Sequence, residues 1–448
     1  MKRRPKSRNA QARSPKRTQQ KPPEGRREAS GWERMWREVP KEPFWSRLAL
    51  DGIARHRATR DPLDKCMERV FRAARAGPRE RRRAGDGAFA WARLRNVVEA
   101  QVDKAVSAYG GRPPSRRERD RAALVLAELL GGNDIDAGPL PPFLGELLEE
   151  VREQGADFAF SAPNWPGWLQ EKLRTQYGDE AEALLSALAQ SAPTSLALDL
   201  RHVERDAVVK ALASLNVESE VSPHAVTALR VGGRFSIRQL PRELQPHIWP
   251  MDDGSQYVVH ALAAQAGDRV LDLCAGGGGK SRLLATQNAD VVALDVEPRR
   301  LMAAAARCPE ALFVHGDGRQ APFADSSFDC VLVDAPCSGT GTLRRAPDLA
   351  MRLSADDPAR LTAVQGALLT EAARLVRPGG RVVYATCSLL KEENEDVVEK
   401  VLAQVDDLSL DSRVPQPMRT LLPSREGTDG FFVAQLQRQP ADNSMTED

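Results

Sequence analysis

The stretch V-L-D-L-C-A-G-G-G-G-K, residues 270–280, reads as a short buried strand that runs into a turn almost without side chains. Such a turn lets a ligand approach the backbone, where the first N–H groups of the next helix are free. Asp295 ends the following β-branched segment, 23 residues after Asp272, where a carboxylate can accept both hydroxyls of a ribose. The pattern predicts a nucleoside cofactor. NAD and S-adenosylmethionine fit it equally, and a purely structural turn is the remaining interpretation.

Short β-branched segments alternate with helical segments from about residue 251 onward. The predicted strands are 270–273, 291–295, 312–315, 330–333 and 381–385. The predicted helices are 280–286, 298–308 and 358–376, the last followed by the stop signal R-P-G-G at 377–380. This alternation is typical of an α/β fold with a mainly parallel, doubly wound sheet, in which ligands bind beyond the carboxyl ends of the strands.

Three more strand ends carry acidic or sulfur-bearing side chains. Asp317 follows the third predicted strand, where it could accept a hydrogen bond from an adenine amino group. Asp334 closes the fourth strand and opens D-A-P-C-S-G-T-G, residues 334–341, while the fifth strand ends in T-C-S around Cys387. Cys337 and Cys387 are therefore both expected above the cofactor. A dehydrogenase has no use for such a pair, so the pattern favours S-adenosylmethionine.

Two thiols beside a methyl donor favour methylation at carbon 5 of a cytosine. That carbon accepts a methyl group from a sulfonium only after a nucleophile has added to carbon 6. A thiolate adds readily and can leave again, although a free cysteine, with a pKa of about 8.5, has to be activated by its surroundings. Asp334 is the candidate acid at the amide edge of the base. These residues leave open which cysteine attacks, and either one alone would more often be structural.

Upstream of this domain, which we place at 251–448, residues 42–138 read as an all-helical domain. Apolar positions recur at helical spacing in 63–74 and 122–130. A Gly-, Asp- and Pro-rich linker follows at 131–142.

Residues 139–250 read as this linker and a small α+β unit, with helical patterns at 143–151 and 168–189. Residues 1–41 form a basic tail, whose first 28 residues hold eleven Lys or Arg against two Glu. This composition is typical of a disordered segment. The tail could bind an anionic polymer or act only as a solubiliser.

The composition also argues against several classes of protein. No apolar run approaches the roughly 18 residues that a membrane helix needs, and the charged N-terminus does not read as a secretory signal. We expect a cytoplasmic protein without a membrane partner. Six cysteines without a C-x-x-C pair and six scattered histidines argue against disulfides and metal sites. Nothing indicates an obligate oligomer, so a monomer without metal is expected.

On these motifs the sequence resembles the RsmB/NSUN family of RNA cytosine-5 methyltransferases, densely from about residue 163 to 437. The family's cofactor turn, usually C-A-A-P-G-G-K-T, corresponds to residues 274–281, and its D-A-P-C-S-G-x-G and T-C-S segments are matched directly. Further matches are Arg344-Arg345, Pro347-Asp348, Glu392-Glu393-Asn394-Glu395, D-G-S-Q at 253–256 and G-T-D-G-F-F at 427–432.

The resemblance implies a Rossmann-like class I methyltransferase domain, S-adenosyl-L-methionine as cofactor and RNA as partner. It implies that Cys387 attacks the base and that Cys337 assists product release, with Lys280 and Asp334 also in the active site. The implied cofactor contacts are Cys274, Ala275, Gly276, Gly277, Gly278, Gly279, Lys280, Asp295, Asp317 and Asp334.

The helices of 42–138 resemble the NusB-type RNA-binding domain of bacterial RsmB-type small-subunit rRNA methyltransferases, and 163–250 resembles the family's own RNA-contacting module. Three departures stand out. Gly276-Gly277 replaces Ala-Pro in the cofactor turn and loses the rigidity of proline. A-L-D at 197–199 replaces a usual R-V-N and removes a cation, and Met351 stands where a tryptophan is common.

The expected substrate is therefore a structured RNA, with rRNA ahead of tRNA. An RNA-binding ribosome assembly factor without catalysis is the alternative from a different class. The joint presence of Cys337, Cys387, Asp334 and Lys280 argues against it. Small-molecule methylation is disfavoured, because such enzymes need neither the paired cysteines nor so long an upstream region.

Overall fold

The computed structural model describes residues 43–108, 114–130, 165–233 and 235–440. The basic tail, the predicted linker and the helical pattern at 143–151 lie outside these residues. The first described helices are α1 (Phe44–Thr59), α2 (Leu63–Ala73), α3 (Pro78–Ala108) and α4 (Arg116–Leu130). A proline precedes or opens each of the first three, at a position where its missing N–H is not needed. The four helices enclose a core around Trp91, which confirms the helical predictions at 63–74 and 122–130.

A small α+β unit follows. Its elements are α5 (Gly167–Tyr177), α6 (Ala181–Ala189), β1 (Thr194–Leu198), α7 (Arg205–Ala213), β2 (Ser219–Val221), β3 (Ala228–Val231) and β4 (Ile248–Pro250). The strands form an antiparallel sheet in the order β2-β3-β1-β4. The helical pattern predicted at 168–189 is divided into two helices, because Gly178 adopts a φ of +52° that ends the first.

The largest unit is a doubly wound sheet. Its elements are α8 (Asp253–Ala261), β5 (Arg269–Asp272), α9 (Gly279–Ala285), β6 (Asp290–Asp295), α10 (Pro298–Ala305), β7 (Leu312–His315), β8 (Phe328–Asp334), α11 (Asp357–Leu375), β9 (Val376–Thr386), α12 (Glu395–Leu402), β10 (Leu408–Leu410), β11 (Met418–Leu421) and β12 (Phe431–Arg438). The strand order is β7-β6-β5-β8-β9-β12-β10, with β11 also paired to β12. Strands β5 to β9 are parallel to their neighbours, and β12 is antiparallel to β9. The α/β prediction is confirmed, and the strand order reverses between β5 and β8, where ligands bind in such sheets.

Two details of the predicted sheet are wrong. Strand β9 begins at Val376 rather than 381, because the segment around Pro378 and Gly380 forms an irregularity in the pairing with β8 instead of a loop. The C-terminal strands β10 to β12 were not predicted at all. Among the described residues, no helix has the length and apolar character to cross a membrane.

Candidate active site

The glycine turn lies between β5 and α9, at the reversal point of the sheet. Gly276 and Gly278 have φ values of +54° and +75°, which favour glycine. A Cβ on Gly278 would come within 2.7 Å of the Ala304 Cβ, so this glycine lets α10 pack against the turn. A Cβ on Gly276 or Gly279 would meet nothing within 4 Å, which leaves open space in front of the turn. The turn is a cradle that a nucleoside cofactor fits.

Acidic residues at the next strand ends border this cradle. Asp295 is buried, and its carboxylate accepts hydrogen bonds from Gly276 N at 2.8 Å and Glu297 N at 2.7 Å. Asp317 is more exposed; its pairing with Arg319 lowers its pKa to about 2. Asp295 therefore fixes the turn, whereas Asp317 is held by its own neighbour two residues on.

The remaining residues of the turn differ in their exposure. Ala275 is buried and its N–H donates to Leu294 O at 2.9 Å, which joins the turn to β6. Cys274 lies partly exposed beside Asp272. Burial and the surrounding carboxylates raise the pKa of the Cys274 thiol well above its usual value, so this third thiol stays neutral. Gly277 is exposed, and its carbonyl oxygen accepts a hydrogen bond from the Arg307 guanidinium at 3.4 Å.

Lys280 and Asp334 form an ion pair across the reversal point. The Lys280 Nζ donates to Asp334 Oδ2 at 2.6 Å and lies 5.5 Å from the centre of the Phe431 ring. Burial lowers the pKa of Lys280, but the charge and hydrogen bond of Asp334 raise it by more, so the pKa of the lysine lies above its usual value. A negative charge on the Cys387 sulfur would act on Lys280 in the same direction, so the ammonium lies within electrostatic reach of that thiol.

The two predicted active-site cysteines meet in the structure. The Sγ atoms of Cys337 and Cys387 lie 3.4 Å apart, and both side chains are partly exposed. Asp334 on β8 is paired with Ala385 on β9, so the two cysteine loops leave neighbouring strands at the same edge. The hydrogen bond with Cys387, together with burial, raises the pKa of Cys337 well above its usual value. Cys337 therefore keeps its proton and can donate it toward the Cys387 sulfur.

A buried carboxylate beneath these loops was matched in sequence but given no role. Glu393 accepts hydrogen bonds from Ser338 and Ser388, the residues that follow the two cysteines. Its only sequence signal is its place in the acidic run after T-C-S. The sequence could not show that the side chain turns inward.

Three separate motifs form one charged network beside the site. Arg344 Nε donates to Asp429 Oδ1 at 2.8 Å, and Arg345 joins Asp429 to Asp252. Burial and the Asp429 charge raise the pKa of Asp252 to about 6. The R-R motif, the C-terminal motif and the start of α8 are therefore held together by ion pairs, of which the pair of Arg344 and Asp429 is buried.

The N-terminal helices contact the segment that continues from the Cys337 loop. The carboxylate of Asp348 is buried and accepts a hydrogen bond from Leu63 N, the first residue of α2, at 3.1 Å. Arg93 on α3 donates to Arg344 O at 3.4 Å. Met351, which departs from the family pattern, packs against the core of the helical domain.

The altered strand A-L-D of the small unit also has a structural role. Asp199 forms a bidentate ion pair with Arg201, which donates to Ala285 O at the end of α9. Burial opposes the Asp199 charge, but Arg201 and His202 lower its pKa to about 2. Histidines that look scattered in the sequence meet here, since His202 and His247 stack 4.5 Å apart. Ligand-type atoms of both histidines and Asp199 lie within 4.8 Å of one another.

The parallel strands with the antiparallel β12 beside β9, the glycine cradle at the reversal point and the two cysteines above it are together typical of a class I S-adenosylmethionine-dependent methyltransferase. Comparison with known sequences gives the family. A family model described as 16S rRNA methyltransferase RsmB/F matches residues 259–437, and an RsmF/B-like ferredoxin-like domain matches 165–238.

Curated relatives agree with both matches. Ribosomal RNA small subunit methyltransferase B of Xylella fastidiosa is 31% identical over 389 residues, which cover 78% of this chain and 90% of the relative. The protein of the same name from Salmonella arizonae is 35% identical over 329 residues, which cover 70% of this chain and 77% of the relative. The chain therefore belongs to the RsmB/F methyltransferase family, within the wider RsmB/NSUN group, and its cofactor is S-adenosylmethionine.

Solved structures show the same fold. A crystal structure of PH0851 has a TM-score of 0.71 at 21% identity and covers 90% of this chain and 100% of that one. NSun6 from Pyrococcus horikoshii, solved with the S-adenosylmethionine analogue SFG, has a TM-score of 0.54 at 18% identity. The match covers 62% of this chain and 99% of that one.

Proposed function

We propose that this chain methylates carbon 5 of a cytosine in ribosomal RNA. The substrate class follows from the family, since relatives that match over most of their length are named as small-subunit rRNA methyltransferases. The observation that supports the cytosine-5 chemistry is the thiol pair of Cys337 and Cys387, with Sγ atoms 3.4 Å apart at the edge where the cofactor binds.

The surroundings of the pair favour Cys387 as the nucleophile. Cys337 keeps its proton because its pKa is raised, and it can donate that proton to the Cys387 sulfur. The Lys280 ammonium lies within electrostatic reach of Cys387, and reactive cysteines are typically found beside such a cation. A neighbouring hydrogen-bond donor and a nearby cation both stabilise a thiolate, which is the attacking form of cysteine.

In the proposed reaction the Cys387 sulfur bonds to carbon 6. The electron pair of the C5–C6 double bond forms a C4–C5 double bond, and the pair of the C4–N3 double bond moves onto nitrogen 3. The pair of Asp334 and Lys280 supplies the proton that nitrogen 3 takes up as this charge develops. Bound S-adenosylmethionine supplies the methyl group that carbon 5 acquires. The cradle of Gly276 and Asp295 holds that cofactor at its nucleoside end.

Carbon 5 then carries both the methyl group and its original proton. Once Cys387 is bonded to the base, Cys337 no longer faces a thiolate, so the main cause of its raised pKa disappears. Cys337 can then lose its own proton to solvent, and its thiolate accepts the proton from carbon 5. The electron pair restores the C5–C6 double bond, the S–C6 bond breaks, and Cys387 leaves as a thiolate. The proton on nitrogen 3 returns to the pair of Asp334 and Lys280.

The test is methylation of protein-free small-subunit rRNA and of tRNA by the full chain, with radiolabelled S-adenosylmethionine and mapping of 5-methylcytosine at single-nucleotide resolution. The expected result is 5-methylcytosine in the rRNA. Methylation of tRNA alone would show that the substrate class is wrong. A chain that binds the cofactor but methylates neither RNA would favour the non-catalytic assembly factor.

A further inference from the structure

The side chain of Glu393 is fully buried beneath the two cysteine loops. Its Oε1 accepts hydrogen bonds from Ser338 N at 2.8 Å and Gln365 Nε2 at 3.0 Å. Its Oε2 accepts from the hydroxyls of Ser338 and Ser388, both at 2.5 Å. Each carboxylate oxygen therefore has two donors, and one side chain joins both loops.

We propose that Glu393 is a positioning residue that sets the separation and orientation of the Cys337 and Cys387 thiols. Ser338 and Ser388 are the next residues after these cysteines, so a shift of either serine moves a reacting sulfur. The consequence for methylation rests on the proposed function, whereas the geometry of the thiol pair can be measured without RNA or cofactor.

The backbone of Glu393 is itself anchored to β9. The buried Tyr384 hydroxyl donates to Glu393 O at 2.6 Å. The next residue, Asn394, accepts from Thr386 Oγ1 at 2.5 Å and donates to Ser388 O at 3.0 Å. These contacts fix the carboxylate relative to the strand that carries Cys387, so it can act as a rigid reference for the loop of Cys337.

Other contacts, which do not involve Glu393, join the same two loops to each other. Gly341 N donates to Cys387 O at 2.9 Å, and Leu389 N donates to Thr340 Oγ1 at 2.8 Å. Loss of Glu393 is therefore expected to loosen the thiols while these contacts keep the two loops joined to each other. This separates a positioning role from a general contribution to folding.

The donors around Glu393 allow a conservative rescue. In Glu393→Gln the amide oxygen can accept from Ser338 N and Gln365, while the amide NH2 donates to the two hydroxyls, which can accept as well as donate. In Glu393→Ala the buried Ser338 N–H and the Gln365 amide lose their shared acceptor. The glutamine variant should therefore retain the thiol geometry, and the alanine variant should lose it.

The experiment uses phenylarsine oxide, which condenses with two neighbouring thiols to form two As–S bonds and releases one water. Bridging of Cys337 to Cys387 is timed by mass spectrometry in the full chain, relative to alkylation of single thiols by iodoacetamide. We expect bridging in Glu393→Ala to be slower by about tenfold or more, as misplacement of reacting atoms predicts. Wild type, Glu393→Gln and the exposed control Glu399→Ala should bridge at similar rates.

The same variants are then assayed for methylation. Glu393→Ala should lower kcat with little change in the KM for S-adenosylmethionine, and Glu393→Gln should recover most of kcat. If Glu393→Ala does not fold, Ser388→Ala removes one end of the same connection and should slow bridging in the same direction. Bridging at the wild-type rate in Glu393→Ala or in Ser388→Ala would overturn the proposal. So would an equal loss of bridging rate in Glu393→Gln and Glu393→Ala. A wild-type chain that bridges normally but methylates no RNA would contradict only the proposed function.

Discussion

The Sγ atoms of Cys337 and Cys387 lie 3.4 Å apart, although 50 residues separate the two cysteines along the chain. The contact exists because β8 and β9 are parallel neighbours, with Asp334 opposite Ala385, so that both loops leave the sheet at one edge. The raised pKa of Cys337 makes two residues of the same type chemically unequal.

This inequality predicts different outcomes for the two alanine variants. Cys387→Ala should abolish methyl transfer, because no thiolate adds to carbon 6. Cys337→Ala should still add to the base but release it slowly, so that a covalent RNA–protein adduct accumulates on a denaturing gel. Cys308→Ala, at a buried cysteine outside the site, is the control. Turnover by Cys337→Ala without any adduct would contradict the assignment of the two thiols.

The glycine turn predicts that two adjacent substitutions act differently. Gly278→Ala places a Cβ 2.7 Å from the Ala304 Cβ at a φ of +75°, and should lower the free energy of unfolding by about 2–4 kcal/mol. Gly279→Ala meets no neighbour, so it should fold normally and weaken cofactor binding by filling the cradle. Thermal unfolding and calorimetric titration with S-adenosylmethionine measure the two effects. Equal destabilisation by both substitutions would show that Gly278 is not the glycine that packs closely against Ala304.

Burial of Asp272 predicts a pH-dependent stability. Burial raises its pKa from 3.8 to about 6, so the folded chain holds this proton more tightly than the unfolded chain does. Asp272 therefore contributes most to stability below pH 3.8, and this contribution is lost as the pH rises to about 6. At pH 7 Asp272→Asn should be more stable than wild type by up to about 3 kcal/mol, with little difference near pH 4. The free energy of unfolding of both proteins is measured with denaturant across this pH range. A stability difference that does not depend on pH, or an equal one in the exposed control Asp290→Asn, would refute the prediction.

The contact of Asp348 with Leu63 predicts coupling between the helical domain and the cysteine loop. Asp348→Ala leaves the Leu63 N–H buried without this acceptor and should destabilise the docked domain by about 1–3 kcal/mol. Limited proteolysis should then cut the N-terminal helices sooner than in wild type. Asp356→Ala, at an exposed carboxylate on the same segment, should leave the digestion unchanged. Unaltered digestion of Asp348→Ala would show that the contact does not hold the domain.

Much of the fold could be predicted because its signals are local. The strands at 270–273, 291–295 and 312–315 lie within one residue of β5, β6 and β7, since buried β-branched runs between turn residues are typical of strands. The start of β9 was missed because Pro378 and the glycines beside it are typical of a loop. Here β8 pairs with the residues on both sides of that segment, so tertiary pairing overrides the local preference.

The sequence by itself determined the fold class, the glycine turn and the residue types at the strand ends, because these depend on the order of neighbouring residues. The tertiary structure decided what those residues do to one another. It brought Cys337 to Cys387, turned Glu393 inward beneath both, and joined Arg345 to Asp252 and Asp429. Proton affinity and hydrogen bonding depend on distance and burial in space, and residues far apart in sequence acquire these only when the sheet has formed.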